Sequence, residues 1–261
     1  MSLIITGIVQ AVRNEIRSTG NHRQAMVGGA LADAAILLAL QSLSAQQQES
    51  RNIQVIPVQF EGQVFEVSVQ PLNGLIDINN ASVQLLAEMY RHAGELNPQA
   101  AQILAQATTE TRQRKNSRGV AQGFDAVEDL MRVPAMTYDL YAKISLLLTV
   151  DLKASGGRVN PMAAPVGVLQ ILTGGDMARA TALAAGRSAD LKMMDTSFLK
   201  PDLIETATSR SLRLQVRSAL PGGGTVERSW HVFLRADPRS GLPWRLLRKE
   251  QTSQHTVQSS S

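Results

Sequence analysis

Strand-like alternation is confined to the two ends of this 261-residue chain, and a long run of helix-forming sequence separates them. Near the start, residues 53–60 and 64–69 flank a Glu61-Gly62 turn and read as a hairpin. Phe60, Val64, Val67 and Val69 are its candidate buried positions, and Pro57 marks the first arm as an edge strand. Near the end, residues 212–217 alternate apolar with polar. A Pro221-Gly222-Gly223-Gly224 turn leads to a second alternating run over 226–236, and a last arm, 244–248, follows the turn at 237–241. Strands, helices, then strands again predict an α+β protein: one antiparallel sheet domain interrupted by an inserted all-α domain. The expected boundaries are residues 1–74 and 206–250 for the two parts of the sheet domain and 75–205 for the insert. The polar tail, 251–261, is expected to be disordered.

The first 48 residues read as one long helix. Val27, Ala30, Leu31, Ala34, Leu37 and Leu38 fall at i, i+3, i+4, i+7 spacing and form an apolar stripe. Gly20, Gly28 and Gly29 weaken such a helix by about 1 kcal/mol each relative to alanine, but let a neighbouring element approach closely. No segment reaches the roughly 20 apolar residues expected of a bilayer span. The longest charge-free run near the start, 2–12, is about half that, with no basic stretch before it and no cleavage site after it.

Inside the helical stretch the sequence repeats itself. Ile76-Asp77-Ile78-Asn79-Asn80-Ala81-Ser82-Val83 and Val159-Asn160-Pro161-Met162-Ala163-Ala164-Pro165-Val166 each read as an extended piece, an Asp or Asn, and a helix start. Ala81 and Ala164 are separated by the same 83 positions as Leu86 and Leu169. After the first start, 83–93 is apolar at helical spacing. Asn97-Pro98 then opens a helix to about Arg112, with Ala101, Leu104, Ala105 and Thr108 on one face. A polar stretch, 109–123, precedes a short helix at 124–131. A turn at Val133-Pro134-Ala135-Met136 leads into a helix over 137–148. Helix, tight Pro turn, helix is the outline of a helix-hairpin-helix unit, and the spacing predicts two in tandem.

Three segments together resemble the type II secretion system protein K family, the minor pseudopilins: residues 74–81, residues 129–137, and Leu148-Thr149-Val150 followed by 157–161. They occur in the family's order, and the likeness extends over roughly 13–248. The resemblance implies a pilin-like domain, a long N-terminal helix on an antiparallel sheet, carrying a large helical insert. It implies a periplasmic protein anchored in the inner membrane, at the tip of a pseudopilus, whose partners are other minor pseudopilins bound through the N-terminal helix. The candidate partner face is Val27, Ala30, Leu31, Ala34 and Leu38, which is expected to divide between the chain's own sheet and partner helices. Asp77, Asn79, Asn80, Pro134, Asn160 and Pro165 are the candidate structural-motif residues. The family's short basic leader and Glu-bearing apolar helix are not present here. Residues 3–9 look like the last turns of such a helix, and a truncated start would account for this.

The chemistry is sparse. No cysteine is present, which excludes thiolate metal sites, cysteine nucleophiles and disulfides. His22, His92, His231 and His255 lack the pairing and clustered carboxylates of a metal site. No nucleophile elbow or phosphate-binding loop with lysine occurs, so neither an enzyme nor a cofactor is expected. Asp125, Glu128 and Asp129 read as a solvated face. Some relatives bind calcium through an acidic loop, but the corresponding stretch here, 109–115, is basic, and a hard cation needs several oxygen ligands at once. The alternative is a DNA-binding protein using tandem helix-hairpin-helix units. DNA-binding hairpins use glycines to bring backbone N–H groups onto phosphate, and those positions are Ala135 and Thr137 here, so no nucleic acid is expected. Asp139 and Lys143 beside the hairpin would be the catalysts of a glycosylase reading. The charge of +4 and pI near 9.7 do not argue for nucleic acid by themselves.

Overall fold

The computed structural model describes the backbone of residues 2–46, 49–115, 119–152, 156–189, 196–220 and 224–254. Side chains are described from residue 23, apart from 188–189 and 251–254. The chain divides into two compact units, one made of Met1–Gln48, Gln54–Val69 and Arg213–Ser261, the other of Glu49–Ile53 and Gln70–Leu212.

The first unit is a long helix, α1 (Ser2–Gln46), packed on a five-stranded antiparallel sheet. Its strands are β1 (Gln54–Phe60), β2 (Gln63–Pro71), β5 (Ser211–Ala219), β6 (Thr225–Phe233) and β7 (Arg245–Gln254), in the spatial order β1-β2-β5-β6-β7. This is a pilin-like α+β arrangement. β1 and β2 are joined by Glu61 and Gly62, both at positive φ (49° and 73°), the two-residue turn whose twist suits a hairpin. Phe65, Val67 and Val69 are buried on this sheet, as are Leu214, Val216, Val226, Trp230 and Val232. Two expected core positions fail. Val64 is 68% exposed and Phe60 half-buried, because Val64 lies on the opposite pleat from Val67 and Val69. The tail expected from Gln251 begins later, since β7 continues through Gln254 opposite Thr225. Ladder pairing holds polar residues that composition assigns to a tail. Residues 255–261 and the turn at 221–223 lie outside the described residues.

The second unit is mostly helical: α2 (Val83–His92), α3 (Pro98–Gln113), α4 (Tyr138–Ile144), α5 (Val166–Leu172) and α6 (Met177–Ala189). It is not all-α. β3 (Ile76–Asp77) pairs in parallel with β4 (Leu148–Thr149), and Val159 bridges Ile204 in parallel. Pairs this short carry no alternation, so the sequence pattern is blind to them. The expected helix at 124–131 is a 3-10 helix over Val127–Arg132, and that over 137–148 stops at Ile144 before another 3-10 turn. The core gathers Ile76, Ile78, Leu85, Leu86, Met89 and Tyr90 with Leu130, Ile144, Val168 and Leu169.

Candidate partner-binding face and the duplicated loops

Between Arg23 and Gln46, α1 is apolar on nearly every side. By length and composition this segment could cross a bilayer, with a mean hydropathy of 1.7, which corrects the expectation that no segment could. The error came from requiring an unbroken apolar run, whereas Ala-rich sequence with scattered polar residues passes on average. The side that meets the sheet consists of Gly28, Gly29, Ala32, Ala35, Ile36, Ala39, Leu40 and Leu43. A Cβ on Gly28 would fall 2.6 Å from Leu220 Cδ2, and one on Gly29 would fall 2.4 Å from Arg228 Nη2, so both glycines are sites of close approach. Asp33 accepts a hydrogen bond from Trp230 Nε1 at 3.0 Å and lies 3.7 Å from Arg228 Nε.

The candidate stripe lies elsewhere on the helix. Val27 (54% exposed), Ala30 and Leu38 are exposed, and Leu31 and Ala34 are half-buried; Met26 and Leu37 extend the same surface. Leu31 and Ala34 are thus partly covered, while Val27, Ala30 and Leu38 are left open. The sheet takes the neighbouring row of small residues instead. Hydrophobic periodicity could not choose between the two rows, because both are apolar. The signal that distinguishes them is size, since Gly28, Gly29, Ala32, Ala35 and Ala39 form the row that allows close packing.

In the second unit, Asp77 and Asn160 occupy equivalent places just ahead of α2 and α5. Asp77 Oδ1 accepts from Asn79 N at 2.9 Å, and Asn160 Oδ1 accepts from Met162 N at 3.0 Å, the same Asx turn twice. Asn80 Nδ2 donates to Asp77 Oδ2 at 2.7 Å, while Asn79 grips Phe124 through both its amide groups, at 2.8 and 2.9 Å. Asn160, fully buried, donates from Nδ2 to Arg51 O at 2.8 Å and to Ala207 O at 3.3 Å. Ser82 caps α2 by accepting from Leu85 N, and Pro165 stands at the same position ahead of α5. Both sit at the N-cap, one place before the first helical turn where the sequence put them. Pro134 is an exposed turn residue, followed by Ala135 at φ 69°.

The two loops also pack reciprocally. A Cβ on Gly74 would fall 2.1 Å from Ala163 O, and one on Gly157 would fall 2.0 Å from Asn80 O. Gly74 and Gly157 are 83 positions apart, as are Asn80 and Ala163. An arginine in the last turn of each second helix then ties down the loop ahead of the first. Arg112 Nη1 donates to Ile78 O at 2.9 Å. Arg187 Nη1 donates to Met162 O at 3.1 Å and Ala164 O at 2.6 Å, with Pro161 O at 3.4 Å. Ile78 and Pro161 keep the same offset. Contacts that exchange between copies in this way define a pseudo-two-fold pair. Sequence reading found the loops but missed both arginines, which lie outside the 83-residue register of each other.

Other titratable groups are tied to one another. Glu88 lies 2.9 Å from Lys200 and 3.1 Å from His92; burial pushes its carboxyl up, but Lys200 and His92 together hold it below the usual range. This single carboxylate beside His92 was not anticipated. Burial raises the Asp77 carboxyl, with Asn80, Asn79 N–H and Arg112 acting against it. Lys143, one glycosylase candidate, is ion-paired with Glu95. Among the described residues, no three His, Asp or Glu side chains gather as a metal site. A groove of about 430 Å³ between α2 and α3 holds Gln84, Glu88 and Arg91 above Val83, Ala87 and Pro98.

The helix-on-sheet unit defines a pilin-like fold, and comparison with known proteins agrees. No family model and no curated protein matches the chain. Three chains of solved structures do. One belongs to the crystal structure of the GspK-GspI-GspJ complex from the enterotoxigenic Escherichia coli Type 2 Secretion System, with a TM-score of 0.53 and 14% identity. The match covers 91% of this chain and 99% of that one; at this identity the likeness is one of fold. The pilin-like unit makes up less than half of the residues, so the match runs through most of the helical unit too.

Proposed function

We propose that this chain is a non-catalytic minor pseudopilin of a type II secretion system, of the protein K kind, that sits at the tip of the pseudopilus and helps start its assembly. The observation that carries this reading is a helical unit inserted between two neighbouring strands, β2 and β5, of a pilin-like sheet, matched over 91% of the chain by one chain of a pseudopilin complex. The bulk of such an insert would bar addition of a further subunit above it. The reciprocal loops and the turn at Pro134 support reading the insert as a pair of helix-hairpin-helix-like units. The partners are other minor pseudopilins, and the proposed contact is Val27, Ala30, Leu31, Ala34 and Leu38. A helix face of this kind packs against another apolar helix. Residues 23–46 are held by the sheet through Asp33, so we place any membrane anchor upstream of them, on an inner-membrane protein facing the periplasm. The rival reading, DNA binding, lacks a carrier, because the hairpin has Ala135 and Thr137 where close phosphate approach needs glycine, and Met136 N is already bonded to Val133 O.

The test is co-purification with the minor pseudopilins of the same secretion system. Ala34→Glu and Leu38→Glu should abolish capture while circular dichroism stays native, and secretion should fall with it. Undiminished capture and secretion by folded variants would sink the proposal. Salt-dependent binding to duplex DNA would favour the rival.

A further inference from the structure

Burial alone does not decide how α1 is rotated on its sheet. The row it buries and the row it exposes are both apolar between Arg23 and Gln46, so turning the helix would exchange one for the other with little change in transfer free energy. The small residues of the buried row favour one rotation by close packing, and one polar residue adds a directional contact to it. Asp33 is the only charged residue between Arg23 and the end of α1, and its carboxylate meets a receptor built from β6 and β7. Trp230 Nε1 donates to it at 3.0 Å, and Arg228 Nε lies 3.7 Å away. The Arg228 guanidinium fits over Gly29, one turn earlier on the same face, where a side chain would collide with it. The Lys249 ammonium lies 3.6 Å from the centre of the Trp230 ring, an attraction that fixes the indole.

We infer that Asp33 is a positioning residue: with Gly29 as its slot and Arg228 and Trp230 as its receptor, it sets the rotation of α1 and so selects which apolar row is left for a partner helix. The second half rests on the function proposed above; the first stands without it. A carboxylate at the neighbouring positions 32 or 34 would point about 100° away from the receptor. Sequence periodicity gives Asp33 no such role, since a lone acid on a helix reads as solvated.

The absence of cysteine makes the test direct. Spin labels at Ser42→Cys on α1 and Glu66→Cys on β2, both exposed positions within the first unit, report the rotation as a distance distribution. The native chain should give one narrow distance. Asp33→Leu should broaden it, or shift it by about 5 Å or more, on the scale of the helix radius with side chains. It should also weaken capture of the pseudopilin partners by at least tenfold. Asp33→Asn should restore the native distance and most of the capture, because its amide oxygen still accepts from Trp230; a role resting on side-chain volume alone would not separate these two variants. If Asp33→Leu does not fold, Trp230→Phe removes the N–H while keeping a ring under Lys249, and should broaden the distance in the same sense. A native distance distribution in a folded Asp33→Leu or Trp230→Phe chain overturns the inference. A changed distance with undiminished capture upholds the rotation but overturns the assignment of the exposed row to partners.

Discussion

At single positions the described residues include three non-glycines in a left-handed conformation that an L-residue resists: Glu61, Glu95 and Ala135. Ala135 lies at φ 69° in the turn between the 3-10 helix and α4. A left-handed alanine costs about 1–2 kcal/mol, and glycine's greater freedom in the unfolded chain returns about 0.4–1 of that. Ala135→Gly should therefore raise stability by roughly 0.5–1 kcal/mol, read as a higher urea midpoint at unchanged slope. Ionisation gives a second prediction, with two opposing signs. The Glu88 carboxyl is held low by Lys200 and His92, so its contribution is present above the ordinary carboxylate pKa of 4.5 and is lost as pH falls through the folded value. Asp77 is raised by burial, so its contribution is present below the ordinary value of 3.8 and is lost as pH rises through the folded one. Lys200→Met should flatten the acid limb of the stability profile, and Asp77→Asn should steepen it. Urea titrations across pH 3–6 (about the carboxylate range) would show both, and identical acid limbs in all three proteins would refute the assignment.

The elements show how far sequence carries and where it stops. The α1, α2 and α3 segments were legible because periodicity, the Asn97-Pro98 cap and the Ser82 start agree with one another. The hairpin was legible because Glu61-Gly62 separates two alternating arms. β3, β4 and the Val159–Ile204 bridge were not, since pairs of one or two residues leave no pattern. The sheet-facing row of α1 was missed because apolar character was uniform around the helix, leaving residue size as the only cue. The repeat was visible as an 83-residue offset, yet its consequence, backbone packed on backbone at both glycines, needed three dimensions. That packing makes a sharp prediction. Gly74→Ala places a Cβ against the carbonyl of Ala163 and should cost about 1–3 kcal/mol, the usual range for overpacking. Gly157→Ala meets the carbonyl of Asn80 from a φ of 73° and should cost about 1–2 kcal/mol more. Equal effects, or none, measured by denaturant unfolding would refute the reciprocal contact. Asn160→Ala should cost about 1–3 kcal/mol, since it leaves the buried N–H of Met162 short of a partner and removes the donor to Arg51 O, while Ala207 O keeps its bond from Asn73 Nδ2.

At the scale of the whole chain, the insertion joins β2 to β5, which are neighbours in the sheet although the second unit separates them in sequence. Adjacent strands lie about 4.8 Å apart, so a short turn can replace everything between them. The sheet's own core, from Ala35, Ile36 and Leu40 on α1 to Val67, Leu214 and Val232, lies within the first unit, and so does the Asp33 receptor. A chain in which residues 72–210 give way to a Gly-rich linker of about five residues, a common loop length, should therefore fold. It should keep the native distance between labels at positions 42 and 66. It should also still capture pseudopilin partners, because the proposed contact row is on α1. What it should lose is the proposed tip role, since the bulk proposed to bar a further subunit would be gone. Assembly reactions seeded with the shortened chain should then give pseudopili with the variant buried inside rather than confined to one end, as seen by gold labelling of a C-terminal tag. Labels that stay at the ends would show that bulk is not what sets position, and loss of partner capture would show that the insert carries part of the contact.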